Sequence, residues 1–276
     1  MDLDISYIEP LLDEWLEELQ LIIKVQEKLI KSTDEFYMPY IAVPIPIVNA
    51  IYKITEYLHL ERDIRYITIH LYDKFMCNYF WEMYKKTDGT QSSWSQICKS
   101  ISSHSILYLM SCLQLAYKMN SHLNNLKIPQ VLGILQRLDK KSVFKTIGFR
   151  MPLYTPLNCI EILLAATGLK DTPRMQELTI DLLDLFYLQR KKLYSHLQCL
   201  IQGYIARTIE EKRSLMALES NVLFLGASVI LCGTFFLYVK SETIDVIAIK
   251  LSQLVDIKVN NIWDMANILL TMAIQE

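Results

Sequence analysis

A chain of 276 residues that is 52% hydrophobic, with 28 basic and 30 acidic residues, has apolar content enough for two ordinary domains and no electrostatic drive toward nucleic acid. Its 7 glycines and 8 prolines are too few for the many tight turns of a β-sandwich or barrel, so long helices are expected. The 6 cysteines lack the C-x-x-C spacing of a zinc or redox site and read as small buried residues of a reducing compartment.

The opening MDLDISYIEP is acidic and lacks the basic start of a secretory signal. Residues 9–31 place Leu12, Leu16, Leu19, Ile23 and Ile30 at helical spacing among charges, which predicts an amphipathic helix. That helix is expected to dock on the first domain or on a partner. Pro39, Pro44 and Pro46 then break the helical pattern, because proline removes a donor and turns its predecessor away from the α region. Helix is predicted again over 47–60 and over 63–84, where Ile64, Ile67, Leu71, Phe75 and Phe80 mark one face. A polar loop with Asp88-Gly89 follows over 85–93.

Two stretches, 100–117 and 220–239, are free of charge and almost continuously apolar, and each ends at a lysine, Lys118 and Lys240. A helix that is apolar all round is the buried axis of a bundle or a membrane span. The span reading falls on residues 221–239, whose length suits a bilayer. It is opposed by Asn221, Gly226, Ser228, Gly233 and Thr234 within the segment, and by the lack of a Lys/Arg-rich flank.

Between the two, residues 129–149 predict one or two short helices. Thr155-Pro156 is a helix start, a capping hydroxyl followed by proline in the first turn, and Gly168 closes that helix. Further helices are predicted over 175–188 and 194–209, then a charged turn over 210–213, and finally helices over 244–255 and 262–274. The short basic groups Lys85-Lys86, Lys140-Lys141 and Arg190-Lys191-Lys192 read as solvated faces.

Sites of chemistry are sparse. His59, His70, His104, His122 and His196 are scattered without a metal-binding spacing. Asp181 and Asp184 share a helix face, which reads as a polar stripe before it reads as an acid/base pair. GASVILCG lacks the Lys-Ser/Thr ending of a phosphate loop. No catalytic residue, cofactor or metal is expected, and the chain reads as a non-enzyme.

Amphipathic helices, a charge-free helix and two more helices thus occur twice in order, and this arrangement resembles the cyclin fold. YLHLERDIRYITIHLYDKFM (57–76) resembles the second helix of a cyclin box, closed by Asp73, Lys74 and Phe75. LMSCLQLAYKM (109–119) is similar to the central helix, with Ala116, Tyr117 and Lys118 at its end, and KTIGFRMPLYTPLNCIEILL (145–164) resembles the passage between boxes. Together with LLDLFYL (182–188), these segments resemble the cyclin N-terminal domain-containing protein 1 family.

The resemblance implies an all-α, cyclin-like fold of two tandem five-helix bundles, each around a buried central helix. It divides the chain into an N-terminal helix and linker (1–38), a first cyclin box (39–152) and a second cyclin-like box (153–276). It also implies a nuclear, non-catalytic regulator of meiotic crossover designation and maturation, with a cyclin-dependent kinase and other crossover proteins as partners. A kinase-independent scaffold is the alternative, and neither direct nucleic-acid binding nor a membrane is implied.

In kinase-binding cyclins a lysine ending the central helix and a glutamate late in the first box are polar anchors. The resemblance places the first on Lys118 and the second on Lys140, a charge reversal. Asp139 is adjacent, but one residue along a helix turns the side chain by about 100°. Where cyclins carry a Met-Arg-x-x-x-Leu run for substrate docking, this chain has VPIPIVNAI (43–51).

Overall fold

Every regular element among the described residues, 9–32, 40, 43–85, 91–120, 155–203, 209–237 and 241–275, is an α-helix in this computed structural model. They are α1 (Glu9–Ser32), α2 (Ile45–Tyr57), α3 (Arg62–Lys85), α4 (Gln91–Asn120), α5 (Pro156–Thr167), α6 (Met175–Gln202), α7 (Ile209–Ser220), α8 (Val222–Phe236), α9 (Ser241–Val255) and α10 (Val259–Gln275). The chain divides into two compact units, one running from Met38 to Leu153 and the other joining residues 1–37 to Tyr154–Glu276.

In the first unit α2 starts at Ile45 with Pro46 in its opening turn, where a missing N–H leaves no helical bond unmade. The prolines therefore punctuate the chain just before this helix and also help to begin it. Helices α3 and α4 pack as an antiparallel pair, since Asn120 donates to Glu61 at one end while Phe75 and Tyr79 stack near Tyr108 further along.

The most enclosed helix among the described residues of this unit is α3, not the charge-free one. From Ile64 to Cys77 it buries nearly every side chain, Arg65 and Asp73 included. Helix α4 is enclosed from Leu109 to Ala116 but exposes Ser102, Ser103, His104 and Ile106, the last at 70%. The charge-free stretch is thus enclosed over its second half. α3 tolerates its charges because they are matched: the Arg65 guanidinium lies 4.8 Å from the Tyr52 ring centroid, and Asp73 accepts the Tyr40 N–H at 2.7 Å. The helices expected over 129–149 lie outside the described residues.

The second unit is organised around α8, where every residue from Leu223 to Thr234 is buried. Helices α5, α6, α9 and α10 pack around it. Asn221 caps α8 by accepting the Phe224 N–H at 3.0 Å. Close approach is built into the sequence at Gly226, where a Cβ would stand 3.2 Å from Leu163 of α5. No helix among the described residues is long and apolar enough to cross a membrane.

Thr155 caps α5 as its chemistry requires: its hydroxyl accepts the Asn158 N–H and the Asn158 side chain accepts the Thr155 N–H, each at 3.0 Å. Gly168 ends that helix at φ 77, a left-handed value that glycine adopts without strain.

Two sequence readings need correction in this unit. The helix expected over 175–188 and the part of the one expected over 194–209 up to Gln202 are one helix of 28 residues, α6, because Gln189, Arg190, Lys191 and Lys192 are good helix formers and do not interrupt it, and Gly203 at φ 69 ends it. Segment 210–213, expected as a turn, belongs to α7.

Helix α1 belongs to this same unit. It buries Leu12, Leu16, Leu19 and Ile23 against α5, α7, α8 and α9. Gln20 donates to the Leu254 carbonyl at 2.7 Å, and Lys24 lies 3.3 Å from Asp256. The amphipathic spacing read from the sequence describes this face, but the expected dock on the first domain is corrected: the helix packs with residues 154–276, whose helices bring the apolar surface that covers it.

Candidate partner-binding site

Lys118 stands in the last turn of α4 with its side chain exposed. The helix beneath it is anchored by Cys112, Leu113, Leu115 and Ala116, all buried, and by the Asn120 to Glu61 hydrogen bond beyond it. Because α3 and α4 run antiparallel, Lys118 shares one end of the unit with the start of α3 and the end of α2. Arg62 is exposed there, as is Tyr57 at 80%. A lysine at a helix C-terminus is itself favourable, about 0.3 to 1 kcal/mol, by offsetting the partial negative charge of the unbonded carbonyls. That accounts for a lysine in this turn, while its exposure on a fixed helix end presents a cation to any partner.

Asp139 and Lys140 lie outside the described residues, as does His122. Asp181 is exposed and Asp184 half-buried on α6, one turn apart. Among the described residues no group of three His, Cys, Asp or Glu side chains could hold a metal ion.

Asp73 and Lys74, expected to close a helix, stand instead in the middle of α3, which continues to Lys85. Asp73 is 2% exposed, and besides Tyr40 it accepts a contact from the Cys77 thiol at 3.9 Å. Lys74 adds to desolvation in pushing His70 down to about 4, so that imidazole is neutral at physiological pH. Burial raises the thiols of Cys112, Cys159 and Cys232, the last two to about 12, which leaves them as unreactive core residues.

Two features escaped the sequence reading. One is an aromatic cluster at the end of α3, where Phe80, Trp81 and Tyr84 lie within 6.3 Å of one another by ring centroid and Trp81 and Tyr84 are exposed. Its i, i+1, i+4 spacing was visible but was absorbed into the apolar face of the helix. The other is Arg190, read as part of a solvated run. It is 7% exposed, 3.4 Å from Glu219, and flanked by Phe186, Tyr187 and Tyr194.

Asp73-Lys74-Phe75 in α3 and the lysine-ended α4 beside it stand among described residues whose regular elements are all helices, an arrangement consistent with a cyclin-like fold. The chain is 24% identical over 212 residues to the mouse (Mus musculus) protein named cyclin N-terminal domain-containing protein 1, covering 68% of this chain and 63% of that one. It is 27% identical over 173 residues to the human (Homo sapiens) protein of the same name, covering 55% of this chain and 52% of that one. The chain therefore spans between half and two thirds of the length of the curated relatives it matches. No family model matches it, and no solved structure does.

Proposed function

We propose that this chain is a non-catalytic, cyclin-like regulator of meiotic crossover designation and maturation, acting in the nucleus through protein contacts. The similarity to two proteins named cyclin N-terminal domain-containing protein 1 carries this reading. A cyclin acts by laying a helical face against a kinase and favouring its active arrangement, an effect limited by its differential affinity for the two kinase states. Lys118, exposed at the end of α4, is the anchor proposed for a cyclin-dependent kinase, and Asp139 and Lys140 are the further kinase-facing positions that the resemblance implies.

A second reading keeps the fold and drops the kinase. It is favoured by Lys140, which stands where the resemblance calls for a glutamate and would repel a basic partner surface. On this reading the chain is a scaffold for other crossover proteins.

Purification of the chain from meiotic cells, with identification of its stoichiometric companions, tests both. A cyclin-dependent kinase whose recovery falls with Lys118→Glu supports the first reading. Crossover proteins without a kinase, or kinase recovery unchanged by the substitution, supports the second. Companions of neither kind would overturn the proposal.

A further inference from the structure

Among the described apolar side chains of α1, four are buried and five are not. Leu11, Trp15, Leu21 and Val25 are 44%, 41%, 63% and 51% exposed, and Ile22 is half-buried. Positions 11, 15, 18, 22 and 25 alternate steps of four and three, the spacing of a helix-pairing seam, with Glu18 the single charged member. This seam lies beside the stripe that holds α1 to its own unit, so both are usable at once.

Charge along the exposed surface is divided by halves. Asp13, Glu14, Glu17 and Glu18 occupy the first half, all exposed, and Lys24 and Lys28, also exposed, occupy the second together with the half-buried Glu27; Lys24 is the one that reaches Asp256. Acidic residues early and basic residues late also suit the helix dipole. The dipole, however, gives no reason for an apolar seam open to water between them.

A helix with an open seam, acid at one end and base at the other, is complementary to itself when reversed. We propose that α1 is a dimerisation helix whose occupant is a second copy of this chain, paired antiparallel about a two-fold axis near residue 20. In that register Trp15 meets Val25 of the second copy and Glu14 faces Lys28, and each contact occurs twice by symmetry. A parallel pair would instead set like charges against each other along the whole seam.

The seam offers only a few large side chains, so the dimer is a weak one that forms with rising concentration. Sedimentation of the full chain from about 1 to about 100 µM is expected to show monomer passing to dimer. Glu14→Lys places two lysines opposite each other twice, and Lys28→Glu does the same with glutamates. Each variant alone is expected to stay monomeric over that range, with unchanged thermal melting because both side chains face solvent. An equimolar mixture is expected to recover the dimer. A wild-type chain that remains monomeric throughout would overturn the proposal and leave the seam to an unlike partner. Single variants that dimerise as the wild type does, or a mixture that fails to associate, would overturn the antiparallel pairing.

Discussion

Arg190 in α6 and Glu219 in α7 form a buried ion pair, Nε to Oε1 3.4 Å, with side chains 8% and 17% exposed. Arg190 also donates through Nη2 to the Glu219 main-chain carbonyl and stands 4.9 Å from the Tyr194 ring centroid. Phe186 is 5.4 Å away on the same helix. This one guanidinium therefore joins the end of α7 to the middle of α6, where an aromatic enclosure limits its access to water.

Removing one member of such a pair leaves the other charge uncompensated, at a cost of about 3 to 5 kcal/mol. Arg190→Ala is accordingly expected to lower the thermal midpoint of the unit by many degrees. Arg190→Lys should recover little, since an ammonium cannot reproduce the planar stacking. Replacing both, Arg190→Met with Glu219→Leu, should recover most of the loss. Melting curves of the three variants decide this, and a neutral Arg190→Ala would show that the pair is structurally idle.

Leu113, 4% exposed, lies on the enclosed part of α4. An aspartate there would be buried without a partner, so Leu113→Asp is expected to cost several kcal/mol and unfold the first unit. Ile106→Asp, seven residues earlier at a position 70% exposed, should change stability by no more than about 0.5 kcal/mol. Circular dichroism melts of the two variants measure the contrast, and equal losses would mean that α4 is enclosed along its whole length.

His70 links stability of the first unit to pH. Its folded value of about 4 lies below the ordinary 6.5, so between these values the unfolded chain binds a proton that the folded chain refuses. Stability is therefore expected to fall as pH drops from 6.5 toward 4 and to lose nothing more from this group below that. The loss amounts to at most about 3 kcal/mol. His70→Gln should flatten that part of the curve, which urea midpoints at closely spaced pH values would read. A variant retaining the full slope would assign it to other groups.

Gly226 permits α8 to approach α5, and a larger residue there must displace Leu163 or Ile160. Gly226→Val is expected to destabilise the second unit by about 1 to 3 kcal/mol. The companion Leu163→Ala should relieve part of that loss by opening space, so the two changes should be non-additive. Additive denaturation midpoints would place the strain elsewhere.

Much of the helical framework was legible before any coordinates. The Thr155-Pro156 start and Gly168 stop of α5 depend on a few neighbouring atoms, so local sequence sufficed. The docking face of α1 followed from the spacing of Leu12, Leu16, Leu19 and Ile23, and the burial of α8 from its unbroken apolar run. Lys118 was recognisable as the end of a helix, because the lysine follows a continuous apolar stretch.

Other relationships required packing. Arg190 looks like any surface cation until α7 brings Glu219 beside it, and the break expected near it vanishes into α6. α3 reads as only half-buried because its charges suggest water, yet Tyr52 and Tyr40 supply partners from residues distant in sequence. Sequence determined where helices form and which faces are apolar, since both follow from neighbours within about a turn. Tertiary structure alone decided which of those faces are covered and which charges are enclosed, because burial is a property of what else in the chain arrives at a surface.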